Sequence, residues 1–236
     1  MICLEAFAAY SVVRLFSEAE MNRTTLPAEA VSTEDLAGDV APFSQALGDP
    51  EAMASLAALA QWVNWPMPVS TPGVRGFLTR YRDRMLVPVE LPVIQKAYNH
   101  ALRGEVRELA ELDRNLRERL GDGAFAMESQ RKGRLQLRRL RPMRDRSLQR
   151  YLKAVESGEA AGWHLIVFGI LLAAFSLPLR QGLAHYAAKN QRGLLEAASG
   201  AAALSCEDRE TLRLECEGPT AIAIHDLLPG FQPATV

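Results

Sequence analysis

The sequence predicts an all-α protein that folds as a single globular helical bundle domain of about eight to ten helices. Apolar residues recur at helical spacing in many segments, whereas no stretch alternates apolar and polar residues over the length of a strand. Glycine and proline residues separate these segments, as is typical of the loops of a bundle. Because 236 residues can bury a sizeable core, we expect one domain over residues 1–236.

The N-terminal part, residues 1–48, is predicted to form a helix followed by a loop. Residues 2–20 place apolar side chains at helical spacing, and the polar remainder is interrupted by glycine and proline. Asp49-Pro50-Glu51 then starts a second helix, because aspartate can cap a helix and proline suits its first turn. That helix is expected to continue through Trp62 and to stop before the next prolines.

Prolines and glycines define the next two helices. Thr71-Pro72 repeats the cap-then-proline pattern and starts a helix rich in arginine. Pro88 and Pro92 are expected to kink or break it, and Pro92 also opens the following helix. Gly104 ends that helix, since glycine readily adopts the backbone conformation of a helix C-terminus.

Residues 105–120 form the clearest amphipathic helix, with leucines along one face and charged residues on the others. Asp113 falls at the rim of the apolar face, where we expect it to be a solvated flank without a catalytic partner. The turn Gly121-Asp122-Gly123 separates this helix from one over 125–140. After another proline, a further helix covers residues 144–156.

The run 160–179 contains no charged side chain and could be a membrane span or a buried central helix. A span needs roughly 20 apolar residues. This run includes His164 and Pro178, and it lacks aromatic belts at both ends. We therefore predict a buried central helix. A helix over 182–204 follows, and residues 205–236 are expected to form a shortened C-terminal segment.

Overall charge and cysteine usage restrict the class of protein. The formal net charge of -1 and a pI near 6.5 argue against a general nucleic-acid-binding protein. The three cysteines contain no CxxC pair, so we expect reduced thiols and a cytoplasmic protein. Glu5 and Arg14 interrupt the N-terminal apolar stretch, which is therefore not expected to be a signal peptide.

The sequence shows no catalytic or metal-binding motif. The four histidines are scattered, and none lies at ligand spacing from another histidine, cysteine or carboxylate. Phosphate-binding loops, the HExxH pattern and the GxSxG nucleophile turn are also missing. Ser205 and Asp208 have the spacing of a capping pair, which favours a structural role for the neighbouring Cys206 and for Cys216. We predict neither catalytic nor metal-ligating residues.

A basic run over residues 131–150 is the strongest charge feature, opposed within it only by Asp145. Such a patch can bind nucleic acid or another polyanion, so a polyanion-binding module is an alternative function. No aromatic residue interrupts the run to stack on bases, and we favour a protein partner or a solvated surface. The basic residues of this run are Arg131, Lys132, Arg134, Arg138, Arg139, Arg141, Arg144, Arg146 and Arg150.

Four local patterns follow one another in the order seen in a known family. They are Leu91-Pro92 at a helix start, Glu111-Leu112-Asp113, the segment 128–134, and the segment 162–169. The last resembles a Gly-x-His-Pro-Val-Val-Phe-Gly signature and is the most specific. Together they resemble the urease accessory protein family UreF over residues 49–204. The positions expected to have structural or partner-contact roles are Leu112, Asp113, Glu128, Ser129, Gly133, Arg134, Gly162, His164, Val167, Phe168 and Gly169.

Both ends depart from the family pattern. The N-terminal signature survives only as Leu26-Pro27 followed by Ser32, with Glu29 where the family has glycine. The Pro-Leu-Gly signature expected after Ala198 is replaced by unrelated residues. We therefore regard the chain as a divergent member.

The resemblance implies a non-enzymatic, dimeric chaperone that binds the accessory protein UreD, also called UreH. Together they recruit the GTPase UreG to apo-urease for GTP-dependent nickel insertion. The chain would be a scaffold and checkpoint of urease maturation, and would bind no cofactor itself because its partners use the nickel and GTP. Membrane and nucleic acid are not expected as partners. Within the fold, small residues at Gly133 and Gly169 would permit close helix approach, and His164 would be satisfied by a hydrogen bond.

Overall fold

The computed structural model describes residues 40, 43–47 and 55–228, and all regular secondary structure within these ranges is helical. This confirms the all-α prediction. The described residues contain ten α-helices and one π-helical segment (Arg82–Glu90): α1 (Ser44–Leu47), α2 (Leu56–Trp62), α3 (Thr71–Tyr81), α4 (Leu91–Arg103), α5 (Val106–Leu120), α6 (Ala124–Arg139), α7 (Arg146–Glu156), α8 (His164–Ala174), α9 (Leu179–Ala202) and α10 (Cys206–Leu227). The helix predicted at 2–20 lies outside the described residues.

Serine residues cap α2 and α3. Ser55 Oγ accepts a hydrogen bond from the backbone N–H of Ala58 at 3.2 Å, so α2 begins at Leu56 and does not continue from the Asp49 region. Asp49 itself lies outside the described residues. Ser70 caps α3 by accepting from a backbone N–H at 3.3 Å. The cap of α3 is therefore Ser70 and not Thr71, although the proline in its first turn was predicted correctly.

The helix predicted to kink or break at Pro88 continues without interruption. α3, the π-helical segment and α4 form one helical run from Thr71 to Arg103. The wider π turns bond each N–H five residues back, as the Leu91 N–H does to Leu86 O. Pro88 lacks an N–H, and the wider turn accommodates it without ending the helix. Gly104, with φ of 69°, ends the run as predicted.

α8 is the central helix of the bundle. Every side chain in residues 164–172 is at most 2% exposed, and Gly169 among them is also buried. The helix packs mainly on α4 and α6. The predicted buried central helix is confirmed for this part of the uncharged run. α8 ends where Ser176 adopts φ of 55°, and Pro178 then precedes α9. Among the described residues, no helix combines the length and apolarity that crossing a membrane requires.

α10 lies against α9 and α3 and starts with the predicted capping pair. Ser205 Oγ accepts from the Asp208 N–H at 3.0 Å, and the Asp208 carboxylate accepts from the Ser205 N–H at 3.2 Å. Buried apolar side chains from α1 to α10 belong to one hydrophobic cluster. That single cluster positions the loop between α7 and α8, where the family-like patterns meet.

Candidate functional site

The loop 157–163, which connects α7 to α8, is the meeting point of three of the four family-like patterns. α5 contributes Asp113, α6 contributes Gly133-Arg134, and the loop itself carries Gly162. We call this region the motif junction. The fourth pattern starts α4, and residues further along α4 contact α8. The sequence patterns are therefore brought together in space.

Asp113 anchors the motif junction from α5. One carboxylate oxygen accepts from the Ala161 N–H at 2.6 Å, and the other accepts from the Gly162 N–H at 3.0 Å. The second oxygen also accepts from Tyr151 Oη at 2.6 Å. Asp113 is 1% exposed, so the prediction of a solvated flank is wrong. A buried carboxylate is tolerated here because three donors replace water.

The helical spacing of α5 places Asp113 within the buried face of the helix. The buried stripe is Leu109, Asp113, Leu116 and Leu120, with steps of four, three and four residues. Leu112 is only partly buried beside that stripe. The sequence therefore contained the signal that placed Asp113 at the centre of the face. Its donors were not foreseeable, because they come from α7 and the following loop.

Tyr151 completes the buried side of the motif junction. It is fully buried on α7, and burial, reinforced by the neighbouring Asp113 carboxylate, raises the pKa of its phenol well above the usual range. The hydroxyl therefore stays protonated at neutral pH. It can act only as a hydrogen-bond donor toward the carboxylate.

Gly133 and Arg134 hold the same loop from α6. A Cβ atom added at Gly133 would lie 2.1 Å from Gly162 O and 2.7 Å from His164 N. Only a glycine lets the α6 backbone approach the loop this closely. Arg134 Nε donates to Ala161 O at 2.8 Å. Gly162 itself has φ of 80°, a conformation that favours glycine.

His164 lies just beyond the loop, at the start of α8. Its ring is 2% exposed and packs near the rings of Phe168 and Tyr186, with centroids 6.0 and 6.3 Å away. Neither ring nitrogen has a hydrogen-bond partner in the described part of the chain, contrary to the predicted hydrogen bond. Burial, with a further contribution from the Lys132 cation, lowers the pKa of His164 to about 3. The imidazole is therefore neutral at physiological pH.

Gly169 marks the closest approach between α8 and α4. A Cβ at Gly169 would lie 2.6 Å from Ile94 O and 2.7 Å from Ala97 Cβ. Val167 and Phe168 beside it are fully buried. The Leu91-Pro92 pattern starts α4, the helix that receives this contact, and Leu91 is also fully buried. All four patterns thus contribute to packing around α8.

The pattern at 128–134 divides between the two faces of α6. Ser129 is completely buried, whereas Glu128 lies at the surface and pairs with Arg131 at 2.8 Å. Gly133 faces the loop, as described above. The pattern therefore includes both buried residues and surface residues.

Only part of the basic run lines the groove on the outside of α6. Arg131, Arg134 and Arg138 line one groove on the outside of α6. Arg141 pairs with Glu156 of α7 at 2.7 Å, and Asp145 caps α7. The remaining members lie outside that groove, half-buried at Lys132 and exposed at Arg139, Arg144, Arg146 and Arg150.

A larger groove of about 760 Å³ lies directly outside the motif junction. α5 contributes Arg114 and Arg117 to its wall, and α6 contributes Arg134 and Arg138. Asp113 forms part of the floor, with its oxygens already bonded to the loop and Tyr151. Glu156 at the end of α7 and Glu159 in the following loop also line the groove. The groove combines a rigid floor with long cationic side chains at its rim.

A second buried polar cluster, which the sequence analysis missed, lies around the π-helical segment. Tyr81 Oη donates to Glu90 Oε2 at 2.6 Å, and Asn190 Nδ2 donates to the same oxygen at 3.2 Å. Glu90 is completely buried, and burial raises its pKa to about 7. Asn190 is 100 residues away in sequence, so no local pattern could have linked the three side chains.

The described residues contain no group of three or more histidine, cysteine or acidic side chains that could hold a metal ion. Cys206 is exposed and Cys216 is buried, both as free thiols on α10. Burial raises the pKa of Cys216 to about 11, which makes its thiol unreactive at neutral pH. Cys3 lies outside the described residues.

Comparison with protein families matches residues 70–204 to the UreF family, and this covers more than half of the chain. The match begins at Ser70 rather than near Asp49, and it ends at Leu204, where the resemblance drawn from the sequence also ends. No curated protein matches the chain. The chain therefore belongs to the UreF family of urease accessory proteins, a membership that implies an accessory role in urease maturation.

Proposed function

We propose that this protein is a non-enzymatic scaffold and checkpoint of urease maturation. With a UreD (UreH) protein, it recruits the GTPase UreG to apo-urease for GTP-dependent nickel insertion. The observation that carries this proposal is the convergence of the four family-like patterns around α8, within the segment matched to the family. The protein acts in the cytoplasm as a homodimer and binds no cofactor, because nickel and GTP belong to its partners.

The distribution of side chains supports a scaffold. Most of the signature residues are buried in the core, whereas Glu128 and Arg134 lie at the surface. The charged outer surfaces are therefore available for contacts with partner proteins. Asp113, which lines the large groove together with Glu156 and Glu159, has both oxygens engaged in hydrogen bonds to the loop and Tyr151. It is therefore placed to hold the loop and not to transfer protons.

Co-expression with the UreD and UreG proteins of the same organism tests this function. Size-exclusion chromatography, with and without GTP and nickel, measures which proteins elute together. We expect co-elution with UreD and recruitment of UreG to that complex. UreD and UreG expressed without this chain serve as the control and should not form the same complex. A protein that elutes alone under every condition would contradict the proposal.

A further inference from the structure

The outer face of α6 carries an ordered stripe of side chains to which the proposed function assigns no role. Its residues follow one another at steps of three, one, three, one and three, so they share one side of the helix. They line a shallow groove of about 420 Å³. The α6 outer face is defined here by Met127, Gln130, Arg131, Arg134, Leu135 and Arg138.

Two large apolar side chains are exposed on the α6 outer face. Met127 is 67% exposed and Leu135 is 43% exposed. They are eight residues apart on a regular helix, which places them about 12 Å from each other. Methionine and arginine are enriched in protein interfaces, where the apolar residues are covered and the cations form the rim. The spacing matches apolar residues two turns apart on a second helix.

The arginines of the α6 outer face extend this surface into the large groove beside the motif junction. Arg134 and Arg138 line both grooves, and Arg114 and Arg117 continue the positive charge on α5. Within the part of the chain that the structure describes, Arg138 forms no ion pair. Its charge is therefore available to an incoming partner.

The carboxylates along the large groove do not neutralise these arginines. Asp113 is committed to the loop and to Tyr151. Glu156 pairs with Arg141 at 2.7 Å. Glu159 is the remaining acidic residue in the lining, against four arginines, of which Arg117 pairs with Asp122 at 3.3 Å. The surface is therefore net positive around an apolar centre.

We propose that the α6 outer face is a docking site for an acidic amphipathic helix of a partner protein. Two apolar side chains of that helix, two turns apart, cover Met127 and Leu135, and carboxylates between and beside them bind Arg134 and Arg138. This assignment rests on the geometry of α5 and α6 alone. It goes beyond the proposed function and would stand if the urease role failed.

The composition of the surface favours a protein over a nucleic acid. Nucleic-acid sites that bind single strands use aromatic side chains to stack bases, and neither groove has an aromatic residue in its lining. Exposed Met127 and Leu135 would gain nothing from phosphate groups. An acidic helix, in contrast, uses both the apolar centre and the cationic rim.

A synthetic helical peptide tests the proposal on the full-length protein. The probe is a fluorescein-labelled peptide of about 18 residues, with two leucines eight positions apart and glutamates flanking them. Matched peptides carry glutamine in place of glutamate, or serine in place of leucine. Fluorescence anisotropy measures the affinity of each peptide. We expect saturable binding of the probe, weakened about fivefold or more between about 50 and 300 mM salt and by either peptide change.

Paired protein variants locate the site. Arg138→Glu should weaken probe binding about fivefold to tenfold, and Arg150→Glu on α7 should not, although the charge change is the same. The double variant Met127→Ser with Leu135→Ser should also weaken binding. Its control is the double variant Leu214→Ser with Ile222→Ser on α10. These residues have the same spacing and are 55% and 57% exposed. Unchanged melting temperatures show that each variant is folded.

Several results would overturn the proposal. These are the absence of saturable probe binding, or equal weakening by the control variants. Duplex DNA that binds more tightly than the probe and displaces it would identify a polyanion site instead. Concentration-dependent self-association that is lost in the Met127→Ser with Leu135→Ser variant would identify a second copy of the chain as the occupant. None of these results depends on UreD or UreG, so they are distinguishable from failure of the proposed function.

Discussion

The two faces of α6 differ in nearly every physical property. Ser129, Gly133 and Gln136 on the inner face are buried against the core, and Gly133 contacts the backbone of the motif junction. Met127 and Arg138 on the outer face are exposed. The family pattern at 128–134 includes Ser129 and Gly133 of the inner face and Arg134 of the outer face, but neither Met127 nor Arg138. A family resemblance therefore describes how this helix packs and leaves open what it binds.

Substitution on the inner face should have the largest effect. Gly133→Ala places a Cβ atom 2.1 Å from Gly162 O and 2.7 Å from His164 N. Both contacted atoms belong to the backbone and cannot move aside at low cost in free energy. We expect a loss of more than about 4 kcal/mol in the free energy of unfolding, or no soluble protein at all. Gly169→Leu should cause a similar loss, because the new side chain would collide with the backbone of α4. Urea denaturation measures both.

Gly123 is the matched control for Gly133. It precedes α6, has a negative φ of -68°, and has no atom within 4 Å of an added Cβ. Gly123→Ala should therefore leave the free energy of unfolding within about 0.5 kcal/mol of the original protein. Similar stability for the two alanine variants would show that the close contact of α6 with the loop does not exist in solution.

Removal of the Asp113 carboxylate should have the next largest effect. Asp113→Ala leaves two backbone N–H groups and the Tyr151 hydroxyl without an acceptor. We expect a loss of about 3 kcal/mol in the free energy of unfolding, because each unsatisfied buried donor is costly. Asp122→Ala is the control, since the Asp122 side chain is 75% exposed and should cost little. Equal losses would place Asp113 in solvent, contrary to its observed contacts.

The buried Glu90 should make the stability of the folded protein sensitive to pH. Its pKa of about 7 in the folded protein lies above the unfolded value of 4.5. Between these values the folded protein holds a proton that the unfolded chain has lost, so stability falls as pH rises. We expect the original protein to lose up to about 3 kcal/mol relative to Glu90→Gln between pH 4.5 and 7.

Thermal unfolding of both proteins across this range measures the effect of Glu90. His164 acts in the opposite direction, since its lowered pKa makes the folded protein lose stability as pH falls below 6.5 toward about 3. Because His164 is present in both proteins, its contribution cancels in the difference. Parallel stability curves for the two proteins would mean that Glu90 keeps an ordinary pKa.

The smallest effect on stability should come from the α6 outer face. Arg138→Ala removes an exposed cation that forms no ion pair in the described part of the chain. We expect a change within about 0.5 kcal/mol in the free energy of unfolding. The melting temperature measures this. A strong loss of stability would show that Arg138 belongs to the fold, and the contrast between the two faces of α6 would not hold.

Local signals in the sequence predicted much of the fold. Gly104 at the end of α4 and the Ser205–Asp208 capping pair were correct because each feature depends on residues a few positions apart. The burial of α8 followed from its lack of charge. Pro88 does not break the helix, because it lies in a π-helical segment that a propensity rule does not anticipate.

The contacts of the candidate site were less predictable, because they join distant segments. Asp113 bonds to residues 38 to 49 positions later in the chain. The cluster around Glu90 spans α3 to α9. Such pairs become visible only when the helices are packed. The outer stripe of α6, in contrast, could have been found from its spacing, but it was treated as part of one long basic run.

The nickel content of urease, measured in the organism that carries this chain, is the most direct test of a role in urease maturation. Urease is purified from cells that lack the gene for this chain and from cells in which the gene is restored, and its bound nickel is measured. We expect urease nearly free of nickel without this protein, and normal nickel content after restoration. Urease with full nickel content in the absence of the protein would contradict a role in urease maturation.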